Sequence, residues 1–198
     1  MDRKETYSLL LLAGGKSKRM GKDKAKLLYQ GKTFIEAILD KTAGLDLGAT
    51  YLSGHEVEEE SVQVVWDIYP DRGPLGGIHA GLNAVQTPYC LVLPVDVPQI
   101  PVSVLEELLK YHELHREERK DTPMILKHGD QREYLIGIYP VSMKSFIEDI
   151  IKERPMSVHR MLDQWGVECV YMDVPEHLVA NINTREDYQL LLEVDEKL

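Results

Sequence analysis

Cysteine and positive charge are what this sequence has little of. Two cysteines, Cys90 and Cys169, occur in 198 residues, and they stand far apart. That excludes a disulfide-stapled scaffold and a cysteine-based zinc site. Both thiols read as packed side chains, Cys90 in an apolar run and Cys169 in a strand. Lys and Arg number 23 against 33 Asp and Glu, giving a net charge of −10. So acidic a chain is a poor partner for duplex nucleic acid, whose binding rests on neutralising phosphates. Long apolar runs are missing too. The run that follows Met1–Thr6 is too short to span a bilayer and lacks the cleavage site of an export signal. The expectation is a cytoplasmic protein with neither a membrane nor a nucleic-acid partner. No repeat or low-complexity linker divides the chain, and its length suits one domain over residues 1–198.

Against this scarcity, cations crowd into one place. Lys16, Lys18, Arg19, Lys22, Lys24 and Lys26 put six of the 23 basic residues into residues 16–26, with Asp23 as the lone acid there. They follow the apolar run Leu9-Leu10-Leu11-Leu12-Ala13 and the pair Gly14-Gly15. A buried strand that ends in glycines and then in cations delivers an anion-binding loop, because glycines let backbone N–H groups reach the ligand. The loop is not a Walker A motif, since five residues separate Gly15 from Gly21 and Asp23 follows Lys22 where Ser or Thr belongs. Nor is it a dinucleotide fingerprint, because its first two glycines are adjacent.

Strand-like and helix-like segments alternate along the chain, which predicts an α/β fold. Strands are expected at Tyr7–Ala13, Ala49–Ser53, Val62–Trp66, Tyr89–Leu93, Thr122–Lys127, Tyr134–Tyr139 and Val167–Met172. The fifth and sixth are expected to pair across His128-Gly129-Asp130-Gln131. Helices are expected at Thr33–Thr42, Pro74–Val85, Val102–Arg116, Met143–Lys152, Ser157–Trp165 and Arg185–Val194, with Thr33 and Thr184 as N-caps and Asp187 completing an imperfect capping box with Thr184. In such sheets ligands bind beyond the carboxyl ends of the strands. Three charged turns sit at such ends: the glycine loop, Asp67 after Val62–Trp66, and Asp96 within Pro94-Val95-Asp96-Val97-Pro98. A carboxylate at the end of a buried strand needs a partner, and a divalent cation suits Asp96. Lys24 lies within reach of whatever the glycines cradle. His79 reads as a helix-face residue, and His55 is given no role. No Ser-His-Asp or Cys-His pairing suggests itself.

The stretch Leu12-Ala13-Gly14-Gly15-Lys16-Ser17-Lys18-Arg19-Met20-Gly21-Lys22-Asp23-Lys24 resembles the signature of nucleotidyltransferases acting on nucleoside triphosphates. It is most similar to that of the molybdenum cofactor guanylyltransferases (MobA type). Gly73-Pro74-Leu75-Gly76-Gly77-Ile78 through Leu82 resembles the family's second signature, and Asn181-Ile182-Asn183-Thr184-Arg185-Glu186-Asp187 a third. The resemblance covers Leu9 to Leu191. It implies a single-domain, Rossmann-like fold with a mainly parallel sheet and helices on both faces. It implies transfer of GMP from Mg-GTP to the terminal phosphate of molybdopterin, with release of pyrophosphate. By the same resemblance Lys24, Asp96 and Arg19 are the catalytic residues. Leu12, Ala13, Gly14, Gly15, Lys24, Asp67 and Asp96 bind the nucleotide, Asp96 holds Mg2+, and Arg154, Asn181 and Asn183 meet the pterin substrate. Implied partners are molybdenum insertion proteins and apo-molybdoenzymes. The alternatives are a molybdopterin cytidylyltransferase, a sugar-phosphate nucleotidyltransferase, and a nucleotide-binding module without turnover, against which the retention of Lys24 and Asp96 speaks. Three departures are visible. Val95 and Val97 replace the family's cysteine and small polar residue, Glu133-Tyr134 replaces a His-Pro pair, and Ser53-Gly54-His55 stands where relatives carry asparagines.

Overall fold

A computed structural model describes residues 2–14 and 27–195. The chain begins with α1 (Arg3–Thr6) and β1 (Tyr7–Leu12), then a small hairpin of β2 (Leu28–Tyr29) and β3 (Lys32–Thr33). Next come α2 (Phe34–Thr42), β4 (Thr50–Ser53), β5 (Val62–Val65), α3 (Pro74–Ala84), β6 (Tyr89–Pro94) and α4 (Val102–His115). The second half holds β7 (Met124–His128), β8 (Gln131–Pro140), α5 (Lys144–Glu153), α6 (Val158–Trp165), β9 (Glu168–Tyr171), α7 (Glu176–Val179) and α8 (Arg185–Asp195).

Among the described residues, seven strands form one sheet in the order β5-β4-β1-β6-β8-β7-β9. β8 runs antiparallel to both β6 and β7, and the other pairings are parallel. The expected mainly parallel sheet is therefore present. β1 shows why its sequence has no alternation: all six of its residues are buried, because both faces of the sheet are covered. Leu9 and Leu11 point to the face packed by α2 and α4, with Ile35, Ile38, Leu105 and Leu108. Leu10 and Leu12 point to the opposite face, where Leu75 and Ile78 of α3, Ile147 of α5 and Met161 of α6 close over them. Cys90 is wholly buried in that second layer, which pushes its thiol far up, and Cys169 is half-buried.

Local signals placed the longer elements well. Thr33 caps α2 in a full capping box, its hydroxyl accepting from the N–H of Glu36 while Glu36 accepts from the N–H of Thr33. Thr184 does the same for α8, its hydroxyl accepting from the N–H of Asp187 while the Asp187 carboxylate accepts from the N–H groups of Asn183 and Thr184. β7 and β8 pair across Gly129 as expected, but β8 is longer than its apolar pattern suggested. The register jumps from Ile125↔Gly137 to Leu126↔Glu133, so Tyr134, Leu135 and Ile136 face no partner, and the Tyr139 hydroxyl bridges the bulge to the Tyr134 carbonyl. The hairpin β2–β3 and the one-turn helices α1 and α7 were not foreseen, since pieces of two to four residues are too short to show a period. Among the described residues no helix is long and apolar enough to cross a membrane.

Candidate active site

The strand register builds one rim. Leu12 pairs with Ser53 on one side and Pro94 on the other, and Ser53 pairs with Val65. The residues that follow are then held level by backbone hydrogen bonds: Ala13 N–H to Ser53 at 2.9 Å, Gly54 N–H to Val65 at 3.3 Å, and Val95 N–H to Leu12 at 3.1 Å. Gly14, Asp67 and Asp96 thus leave the sheet on one rim, as the chain order predicted.

A cleft of about 300 Å³ opens at this rim, lined by Leu12, Gly14, Ser53, Gly54, Asp67, Asp71, Gly73, Pro74 and Gly77. Its floor depends on close approach. A Cβ at Gly54 would stand 2.5 Å from the Gly14 Cα. A Cβ at Gly76 would stand 2.6 Å from Asp67 Oδ2, and one at Gly77 would stand 2.6 Å from Ser53 Oγ. The glycine pair opening α3 therefore makes room for the protein's own carboxylate and hydroxyl. Burial raises the Asp67 carboxyl above the usual carboxylate range, and a hydrogen bond from Ser53 partly offsets this. In the sequence Ser53 is marked as a strand end and as a departure from relatives, not as a partner of Asp67. Its role comes from β4–β5 register, which no local pattern encodes.

Asp96 follows β6 and is half-buried, with its Oδ1 buried. It does not cap α4, whose N-cap position is Pro101. The Asp96 carbonyl accepts from the N–H of Ile182 at 2.8 Å. This bond brings the exposed Asn181 and Asn183 beside Asp96. Arg154 is exposed just after α5, and among the described residues no side-chain contact joins it to Asp67 or Asp96. Gly15, Arg19 and Lys24 lie outside the described residues, as does the rest of the basic loop.

Among the described residues no cluster of three or more His, Cys, Asp or Glu could hold a metal by itself. A single carboxylate at Asp96 fits magnesium all the same, because that ion commonly takes one or two carboxylates and completes its shell with substrate phosphates and water. His79 sits on α3, packed on Tyr69 with ring centroids 5.5 Å apart and hydrogen-bonded to Asn83. Burial lowers its pKa. It is a helix-face residue, as read from the sequence. A larger hollow of about 750 Å³ lies at the opposite end of β1, but its Arg3 and Lys4 are already paired with Glu106, Glu113 and Asp46.

The family model described as "MobA-like NTP transferase domain" matches residues 9–175. The chain is 31% identical over 188 residues to a probable molybdenum cofactor guanylyltransferase of Flavobacterium johnsoniae, covering 92% of this chain and 95% of the relative. It is 32% identical over 184 residues to the molybdenum cofactor guanylyltransferase of Pseudomonas aeruginosa, covering 90% and 91%. The crystal structure of molybdopterin-guanine dinucleotide biosynthesis protein A from Archaeoglobus fulgidus superposes with a TM-score of 0.75 at 25% identity, covering 96% of this chain and all of that one.

Proposed function

Because this chain belongs to the MobA-like NTP transferase domain family, we propose that it transfers GMP from GTP to the terminal phosphate of molybdopterin, releasing pyrophosphate and forming the guanine dinucleotide of the cofactor. The observation that carries the reading is the rim: Asp67, set by Ser53 and the Gly76-Gly77 pair, stands level with Asp96 and with Gly14, which leads into the cation-rich loop. The relatives named above support the same reaction.

In this reading the base enters the cleft at Asp67. Guanine carries adjacent N1–H and N2–H donors, and a carboxylate can accept both. Lys24 and Arg19 neutralise the triphosphate, with the amides at Gly14 and Gly15 assisting. Asp96 binds Mg2+, which supplies further charge neutralisation on the phosphates. Asn181, Asn183 and Arg154 orient the acceptor. An oxygen of the acceptor's phosphate then attacks the α-phosphorus in line, the bond to the β-phosphate oxygen breaks, and pyrophosphate leaves. Such a transfer needs positioning and charge neutralisation and no protein nucleophile. We place residues 1–198 in one nucleotidyltransferase domain that works in the cytoplasm and hands its product toward molybdenum insertion proteins and apo-molybdoenzymes.

The test is pyrophosphate release with GTP, CTP and ATP, each with and without molybdopterin. Release with GTP that depends on molybdopterin is expected. Equal release with CTP would remove the guanylyl assignment. Release with GTP that required a sugar phosphate in place of the pterin would replace it.

A further inference from the structure

Ile182 belongs to two parts of the molecule at once. Its N–H holds the Asp96 carbonyl at 2.8 Å. Its side chain is buried in a third, smaller apolar cluster with Leu27, Tyr29, Phe34, Ala37 and Leu191, apart from both main layers. Tyr188 closes that cluster. Its ring meets Phe34 edge-on, with centroids 6.2 Å apart, and its hydroxyl donates to the Leu28 carbonyl at 2.7 Å. The Tyr188 N–H returns to the Thr184 carbonyl at 3.2 Å. Asp187 accepts from the N–H groups of Asn183 and Thr184, each at 2.8 Å. Hydrogen bonds therefore run almost residue by residue from Leu28, through the start of α8, to Asp96.

We infer that Tyr188 is a positioning residue for Asp96, acting through the capped start of α8 and Ile182; this rests on the reading that Asp96 binds the divalent metal. The segment around Asp96 is bracketed by Pro94 and Pro98, neither of which has a backbone N–H to donate. Its tie to β1 comes from Val95, and its tie on the other side comes from Ile182. Magnesium demands near-ideal octahedral geometry, so a displacement of a fraction of an ångström at a ligand is felt in affinity. The Tyr188 hydroxyl lies at the surface. Its loss leaves the two main layers untouched and acts on the local cluster alone.

Tyr188→Phe keeps the ring on Phe34 and removes only the bond to Leu28. Three quantities are read: hydrogen exchange of the Ile182 amide, Mn2+ binding by electron paramagnetic resonance in the presence of a non-hydrolysable GTP analogue, and the Mg2+ dependence of pyrophosphate release. The variant is expected to speed Ile182 exchange about tenfold, to weaken Mn2+ binding and raise the Mg2+ requirement roughly fivefold, and to leave the GTP KM at saturating Mg2+ within about twofold. Unchanged Ile182 exchange or an unchanged metal requirement would overturn the inference. So would a fall in kcat with no shift in the metal curve. Asp187→Asn, which weakens the cap in the same chain of bonds, should move the same three readouts in the same direction. Wild-type protein that releases no pyrophosphate would count against the proposed function, whereas the exchange and Mn2+ measurements would still decide the role of Tyr188.

Discussion

Gly76→Ala separates binding from folding. The new Cβ would stand 2.6 Å from Asp67 Oδ2, 3.0 Å from Asp67 Cγ and 3.4 Å from Arg72 Cβ. The nearest two atoms belong to a half-buried side chain that can rotate, so the carboxylate turns away and the backbone stays in place. Alanine favours the helix over glycine by up to about 1 kcal/mol. Loss of the Ser53–Asp67 hydrogen bond costs about 1–3 kcal/mol. These oppose each other, and the net destabilisation is about 1 kcal/mol, or roughly 2–4 °C in Tm for a chain of this size. The ligand has no such offset. A base that loses one charged hydrogen bond forfeits about 1.5–3 kcal/mol, so the Kd for GTP should rise roughly 10- to 150-fold. Calorimetric titration with GTP beside a thermal melt measures both quantities. Gly81→Ala is the control: its Cβ would overlap the Leu10 side chain in the core, costing stability by about 1–3 kcal/mol while leaving the folded protein's GTP affinity intact. A folded Gly76→Ala protein with wild-type GTP affinity would refute the role given to Asp67.

Three further outcomes are expected. Lys24→Ala should lower kcat/KM by about 2–4 kcal/mol of transition-state stabilisation with little change in Tm, and near-normal kinetics in the folded variant would remove Lys24 from the site. Asp96→Asn should raise the Mg2+ requirement strongly or abolish turnover, because a neutral amide is a poorer ligand for a hard cation, and an unchanged Mg2+ curve would leave Asp96 a turn residue. His112 is buried with its Nδ1 2.7 Å from the Tyr7 hydroxyl, and burial lowers its pKa to about 4 from an ordinary 6.5. The unfolded chain therefore binds this proton more readily than the folded one. Stability should be full above pH 6.5 and fall by about 3 kcal/mol as pH drops toward 4. Denaturant melts of His112→Gln should show that slope flattened, and an unaltered slope would assign it to other groups.

The sequence by itself determined a good deal. The unbroken apolar run Leu9–Ala13 has no polar face to turn to water, so a strand covered on both sides was already implied. The sudden change from that run to glycines and cations marked an anion site. The strand ends before Asp67 and Asp96 marked its neighbours, since order along the chain fixes which ends of parallel strands meet. Thr33 and Thr184 announced their helices because capping is local chemistry. Tertiary structure alone decided the rest, and each case depends on residues far apart in the chain. The space left by the Gly76-Gly77 pair is taken by Asp67 and Ser53, which reach it only through the pairing of β4 with β5. The antiparallel pairing of β8 with β6 and the three-residue bulge in β8 follow from long-range register that a short apolar pattern does not carry. The hydrogen bond from Ile182 to Asp96 spans 86 positions of chain, and only the path of the last segment across the rim brings its two ends together.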